Sequence, residues 1–201
     1  MYKGELPSSG DTLRVKHAVR KKLHPQLAEL WKKEPALLSV SESKYSIEGM
    51  VQVTGTGKGL REIAGKFQVG SFNFMPLITS HLNLVCHLDI LFLRREAPGS
   101  LLKKGEDKYG GDLDNRLKIL FDSLRVPHNT NELPPGEAPQ SDENPFYCLL
   151  EDDALITKFQ VESDRLLLTP TTGKDTDVEL IIRVSTRITK LTIENMAFGS
   201  T

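Results

Sequence analysis

Residues 81–95 read HLNLVCHLDILFLRR, and no other stretch restricts the fold of this 201-residue chain so tightly. Leu82, Leu84, Cys86, Leu88, Ile90 and Phe92 repeat with a period of two, which places them on one side of a β-strand. Val85, Leu91 and Leu93 lie on the other side together with His87 and Asp89. A strand that is apolar on both sides is expected in the middle of a sheet, covered on both faces, so the chain must supply flanking strands and packing helices. Val178, Leu180, Ile182 and Val184 alternate in DVELIIRVSTRI and predict one such partner. KYSIEGMVQV and GKFQVGSFNFM predict two more, on either side of the loop TGTGKG. That loop has neither the GxxxxGK[ST] spacing of a phosphate cradle nor a helix directly after it, which favours a hairpin connection. His87 and Asp89, two residues apart, could join a site, although a hydrogen-bonded core histidine is the commoner arrangement.

After the turn-like LPSSGD, Val15, Val19, Leu23, Leu27, Leu30 and Trp31 recur at helical spacing, with Arg14, Lys21, Lys22, Lys32 and Lys33 among them. Pro25 predicts a kink or a restart. Basic residues on such a helix can meet phosphates, but a solvated face around a core-docking stripe is their more ordinary use. With 26 Lys and Arg against 27 Asp and Glu, the formal net charge is −1, so any nucleic-acid contact has to come from local patches. Cys86 and Cys148 stand far apart, which speaks against a disulfide framework or a zinc cluster and for a reducing, cytoplasmic setting. The N-terminus lacks the apolar core of a secretory signal and no run is long and apolar enough for a bilayer, so no membrane association is expected.

REAPGSLLKKGEDKYGG reads as a loop leading into GGDLDNRLKILFDSL, residues 110–124. In the latter, Leu113, Leu117, Leu120, Phe121 and Leu124 share one side of a helical wheel. Asp114, Lys118 and Asp122 follow at four-residue spacing along its border. Helix grammar accounts for much of this: Asp112 suits an N-cap, Asp114 complements the helix dipole, and the Asp–Lys pairs contribute a few tenths of a kcal/mol each. A second feature tilts the balance. In LLEDDALI, Asp152 and Asp153 stand at the entry to a strand, so that three or four carboxylates are available to converge. Hard divalent cations such as Mg²⁺ take one or two carboxylates plus water and phosphate oxygens, and converging aspartates beside a lysine suit metal-assisted phosphodiester chemistry. Between these two segments, RVPHNTNELPPGEAPQSDENP, residues 125–145, is rich in Pro, Asn, Glu and Gly and reads as a long exposed excursion, mobile or functional.

The run DLDNRLKILFDSL followed by LLEDDALI resembles the RusA family of Holliday-junction resolvases, whose pattern is DxDNxxKxxxDxL and later a DD pair before a strand. Asp112, Asp114, Asn115, Lys118, Asp122, Leu124, Asp152 and Asp153 match it in order, and the likeness spans about residues 80–185. The resemblance implies an α/β (α+β) fold: a small mixed β-sheet packed by helices in a single domain, 1–201, here with an N-terminal helical extension, 1–40, and a loop insertion, 125–145. It implies a homodimer and Mg²⁺-dependent nicking of opposed strands in branched DNA, with Mn²⁺ as a substitute ion. By position, Asp112, Asp114 and Asp153 correspond to the family's essential acids and metal ligands, Lys118 to its active-site lysine, and Asp152 to the adjacent acid, counted with the metal set. Two departures stand out. The link to the DD pair is much longer, and the basic approach to the motif (Arg94, Arg95, Lys103, Lys104, Lys108) is interrupted by Glu96, Glu106 and Asp107. They keep open a binding module for branched DNA with weak catalysis, and a protein partner docked on the insertion within a recombination or defence system.

Overall fold

The computed structural model describes residues 1–42, 44–47, 50–54, 66–95, 113–167, 174 and 176–199. Most of the TGTGKG loop, the interrupted basic approach from Glu96 onward and Asp112 lie outside the described residues.

The 81–95 run forms β6 (Leu84–Arg94), an inner strand as its pattern predicts. Its sheet has the order β1 (Tyr2–Glu5), β9 (Asp177–Ile188), β6, β8 (Ile156–Arg165), antiparallel except for the β6–β8 pair. Leu84, Cys86, Leu88, Ile90 and Phe92 are buried. The other face departs from the expectation of full cover: Val85, His87, Leu91 and Leu93 are half-buried and Asp89 is exposed. The neighbouring strands explain it, because their register sets Lys158, Gln160, Glu162, Glu179 and Arg183 on that same face, where they need water.

Two other expected strands turn out to be hairpins. KYSIEGMVQV folds on itself as β2 (Lys44–Ile47) and β3 (Met50–Thr54). GKFQVGSFNFM does so as β4 (Gln68–Val69) and β5 (Phe72–Ile78), reversing at Gly70, whose φ of 60° is open to glycine at little cost. β5 also pairs in parallel with β7 (Phe146–Leu150), giving a second sheet of order β4-β5-β7. The chain is therefore mixed α and β, with small mixed sheets packed by helices.

α1 (Thr12–Lys33) starts at an Asp11 cap and continues through Pro25 without a break; α2 (Pro35–Glu42) follows it. α1 packs on α3 (Leu113–Leu124) and on β7. Its stripe is partly as expected, with Val19 and Trp31 buried, but His17, Arg20 and His24 are buried beside them. The lysines of α1 are largely engaged within the molecule: Lys16 with Asp122, Lys21 with Glu137, Lys22 with the Lys3 carbonyl. α3 packs against α1 and buries Arg116, Ile119 and Ser123 as well as Leu113, Leu120 and Leu124. Leu117 and Phe121, expected in the core, are half-buried.

The main core joins α1, α2 and α3 to β5, β6, β7 and β9. A smaller one gathers Val69, Phe72, Phe74, Phe146 and Cys148 with Val126 and Leu133. The last two belong to the 125–145 excursion, which is therefore anchored rather than loose; each buried aliphatic side chain contributes about 1.5–3 kcal/mol. Cys86 and Cys148 are buried free thiols, and among the described residues no helix is long and apolar enough to cross a membrane.

Candidate functional site

α3 ends against the strand that carries the second pair of acids. Arg125, just past the helix, bridges Leu150 at the end of β7, and the Val126 N–H donates to the Leu150 carbonyl at 2.9 Å. Two residues beyond Leu150 comes Asp152, so the exit of α3 and the Asp152–Asp153 turn leave from one hydrogen-bonded rung. Glu151 fixes the turn from the other side: its N–H donates to the Ile78 carbonyl at 2.9 Å, and its carboxylate accepts from the Ser80 N–H at 2.7 Å and from the Ser80 hydroxyl. The 3₁₀ turn Asp153–Leu155 then packs on α3 and β6 before β8 begins.

Within this turn the two aspartates do different work. Asp152 Oδ1 accepts from the Ala154 N–H at 2.9 Å and Oδ2 meets His128 Nε2 at 2.9 Å, so both oxygens are engaged. The His128 hydrogen bond, followed by that of the Ala154 N–H, holds the Asp152 carboxyl below the usual carboxylate range. Asp153 is the first residue of the 3₁₀ turn and stands half-buried beside it. His128 is itself held by Glu132, whose carboxylate accepts from the His128 N–H at 3.2 Å and from Arg125 Nη1 at 2.9 Å. His128 and Glu132 escaped the sequence reading; their four-residue spacing inside a loop was the only signal.

On α3 the expected ladder of ion pairs is not what forms. Asp122 pairs with Lys16 at 2.7 Å and with Arg125 at 3.4 Å, and its carbonyl accepts from Arg20 Nη2 at 2.6 Å. Arg20 also reaches the Arg125 carbonyl at 3.3 Å, satisfying carbonyls that the end of a helix leaves without partners. Burial pulls the Arg20 guanidinium down to about 10, still far above neutrality. Asp122 is thus a tie between helices, not the holder of Lys118. Asp114 and Lys118 are both exposed, and among the described residues neither makes an ion pair.

The structure therefore brings Asp152 and Asp153 together and sets their turn against the acid-bearing helix. Among the described residues no group of three or more His, Cys, Asp or Glu side chains is arranged to hold a metal ion. Asp112, one of the three expected ligands, is outside that set. The donor chemistry of the other two, Asp114 and Asp153, suits a hard cation. His87 and Asp89 take no part, since they lie on the half-open face of the sheet, away from α3. That face carries charges of both signs: Lys158 next to His87 in register, Arg183 and Arg187 on β9, and Asp89, Glu162 and Glu179 among them.

Comparison with known proteins identifies no relative. A scan against protein-family models and searches of curated proteins and of solved structures return no match.

Proposed function

We propose that this chain is a divalent-metal-dependent endodeoxyribonuclease acting on branched DNA, as the ordered DxDNxxK and DD motifs imply. The observation that carries the reading is the state of Asp114 and Lys118. Helix ion pairing is the ordinary use of such residues, yet here they face solvent with no ion pair among the described residues, while Asp122 is committed elsewhere. Asp114 and Asp153, with Asp112, are the residues that would hold Mg²⁺ or Mn²⁺. Such an ion supplies an activated water and neutralises charge on the phosphate. Lys118, one helical turn from Asp114, offers an ammonium to a phosphate oxygen. Asp152 keeps the turn in place through Ala154 and His128 rather than coordinating. A two-fold dimer would set two such sites on a two-fold substrate.

The test is cleavage of four-way, flap and linear DNA in Mg²⁺ or Mn²⁺. Paired nicks in the four-way substrate are expected, and Asp114→Asn or Asp153→Asn should slow them by on the order of 10²-fold or more. Undiminished cleavage by either variant would sink the assignment. Binding of branched DNA in Ca²⁺ with no turnover in Mg²⁺ or Mn²⁺ would instead identify a binding module.

A further inference from the structure

α1 and the 125–145 excursion enclose a cavity of about 320 Å³ that the proposed chemistry does not use. Arg14, His17, Ala18 and Lys21 line it from the helix, at the three- and four-residue steps that put side chains on one face. Pro134, Pro135 and Glu137 line it from the excursion. The volume lies at the low end of ligand cavities, about 300–1,000 Å³, and is roughly ten times the ~30 Å³ share of one water. A bare inorganic ion would leave most of it empty.

One wall of it is a buried group with bonding capacity to spare. His17 is 2% exposed, and among the described residues neither ring nitrogen has a hydrogen-bond partner, although burying such a group unpaired is costly. Its Nε2 stands 3.8 Å from Glu137 Oε2, too far for a hydrogen bond. That same oxygen accepts from Lys21 Nζ at 3.0 Å, so the molecule's own carboxylate already sits at the cationic side of the cavity and still falls short of the imidazole. Glu137 is tethered: its N–H donates to the Pro134 carbonyl at 3.3 Å, while its side chain is 37% exposed. A carboxylate that arrives from solution has no such tether and can accept from both His17 and Lys21. Arg14, one turn before His17, adds a second cation, whose Nε meets Asp11 at 3.5 Å with both side chains mostly exposed. Two cations against one carboxylate leave the lining with a surplus of one positive charge, which a monoanion neutralises. Pro134 and Pro135 bring ring carbons and no N–H, and Ala18 a methyl, so the rest of a ligand meets apolar surface. We propose that this cavity binds a small organic acid, its carboxylate on His17, Lys21 and Arg14 and its apolar body against Ala18, Pro134 and Pro135. The proposal goes beyond the nuclease reading and does not depend on it, because its test reads binding and not cleavage.

Benzoate is the probe, with one carboxylate on a flat apolar ring. Titrated into the full chain at about pH 7 and followed by calorimetry and by the His17 imidazole resonances, it should bind at one site with a Kd of about a millimolar or below. His17→Met and Lys21→Met should each weaken it at least about tenfold, since each removes a hydrogen bond to a charged group. Glu137→Gln removes the resident competitor and should tighten it about threefold, a gain that a misfolded variant cannot imitate. Lys32→Met, in an exposed pair with Glu29 further along α1, should leave it unchanged. Inorganic phosphate, which has no apolar body, should bind at least about tenfold more weakly. No saturation of Glu137→Gln by about 20 mM benzoate overturns the proposal. So does an affinity indifferent to both His17→Met and Lys21→Met, or phosphate that binds as tightly as benzoate. A short single-stranded oligonucleotide that shifts the His17 resonances where benzoate does not would overturn it too, and make the cavity a contact for nucleic-acid phosphates.

Discussion

Acid should unfold this protein partly through one side chain, His17. It is 2% exposed, with the Phe72 ring edge-on at 5.5 Å and the Phe146 ring stacked at 6.1 Å, and among the described residues neither ring nitrogen has a hydrogen-bond partner. Glu137 comes no nearer than 3.8 Å. Burial first, then the charges of Lys21 and Arg20, pull its pKa from the ordinary 6.5 down to about 4, with Glu137 opposing. The unfolded chain takes up the proton near 6.5, whereas the folded chain refuses it until about 4. Stability from the neutral imidazole is therefore complete above 6.5 and drains away as the pH falls toward 4, by about 3 kcal/mol in all and about 2 kcal/mol at pH 5. His17→Met fills a similar volume beside the phenylalanines without a titrating group, and should stay within about 1.5 kcal/mol of wild type at neutral pH. Urea unfolding followed by circular dichroism at pH 7 and pH 5 measures the difference, since the carboxylates titrate alike in both chains. Wild type should lose about 2 kcal/mol more than His17→Met over that interval, or about 4–8 °C in Tm. Equal losses would refute the reasoning and mean that the imidazole finds a proton acceptor in solution.

Arg20→Met removes the two bonds that close the end of α3 and should cost about 2–4 kcal/mol, read as a lower urea midpoint at unchanged m-value; an unshifted midpoint would show the carbonyls satisfied by water. His128→Ala frees Asp152 Oδ2 and should slow cleavage by about tenfold through a loosened turn, with His128→Gln recovering most of the rate; no rescue by Gln would count against a positioning role.

Period-two patterning made β6 and β9 readable, because each buries one face against a continuous core and the residues announce it. β1 and β7 were not readable. β1 has four residues and exists by pairing with β9, at the far end of the chain, and β7 depends on a parallel neighbour, β5, more than sixty residues away. The acids illustrate the same limit. The DxDNxxK run and the DD pair were legible as motifs, and α3 formed where its wheel placed it. Which carboxylate stays available was not legible, because Asp122 is claimed by Lys16 and Arg20 from a helix about a hundred positions upstream, and Asp152 by a histidine 24 residues before it. Local spacing predicts neighbours along one element; competition for a partner is decided by tertiary contacts that no window of sequence contains.

The 125–145 excursion connects the acid-bearing helix to the acid-bearing turn, and it does so as a braced arch. Val126 and Leu133 pin its first limb to the smaller core, while its second is held where His24 Nε2 meets the Asp142 carbonyl and Nδ1 accepts from the Tyr147 N–H. Between the limbs, Pro135 and Gly136 form an exposed apex at which Gly136 has a φ of 77° and open space around its missing side chain. The arch can therefore be lengthened, tagged or cut at its apex while both footings hold their places, which makes it a natural insertion point for a reporter or a second domain.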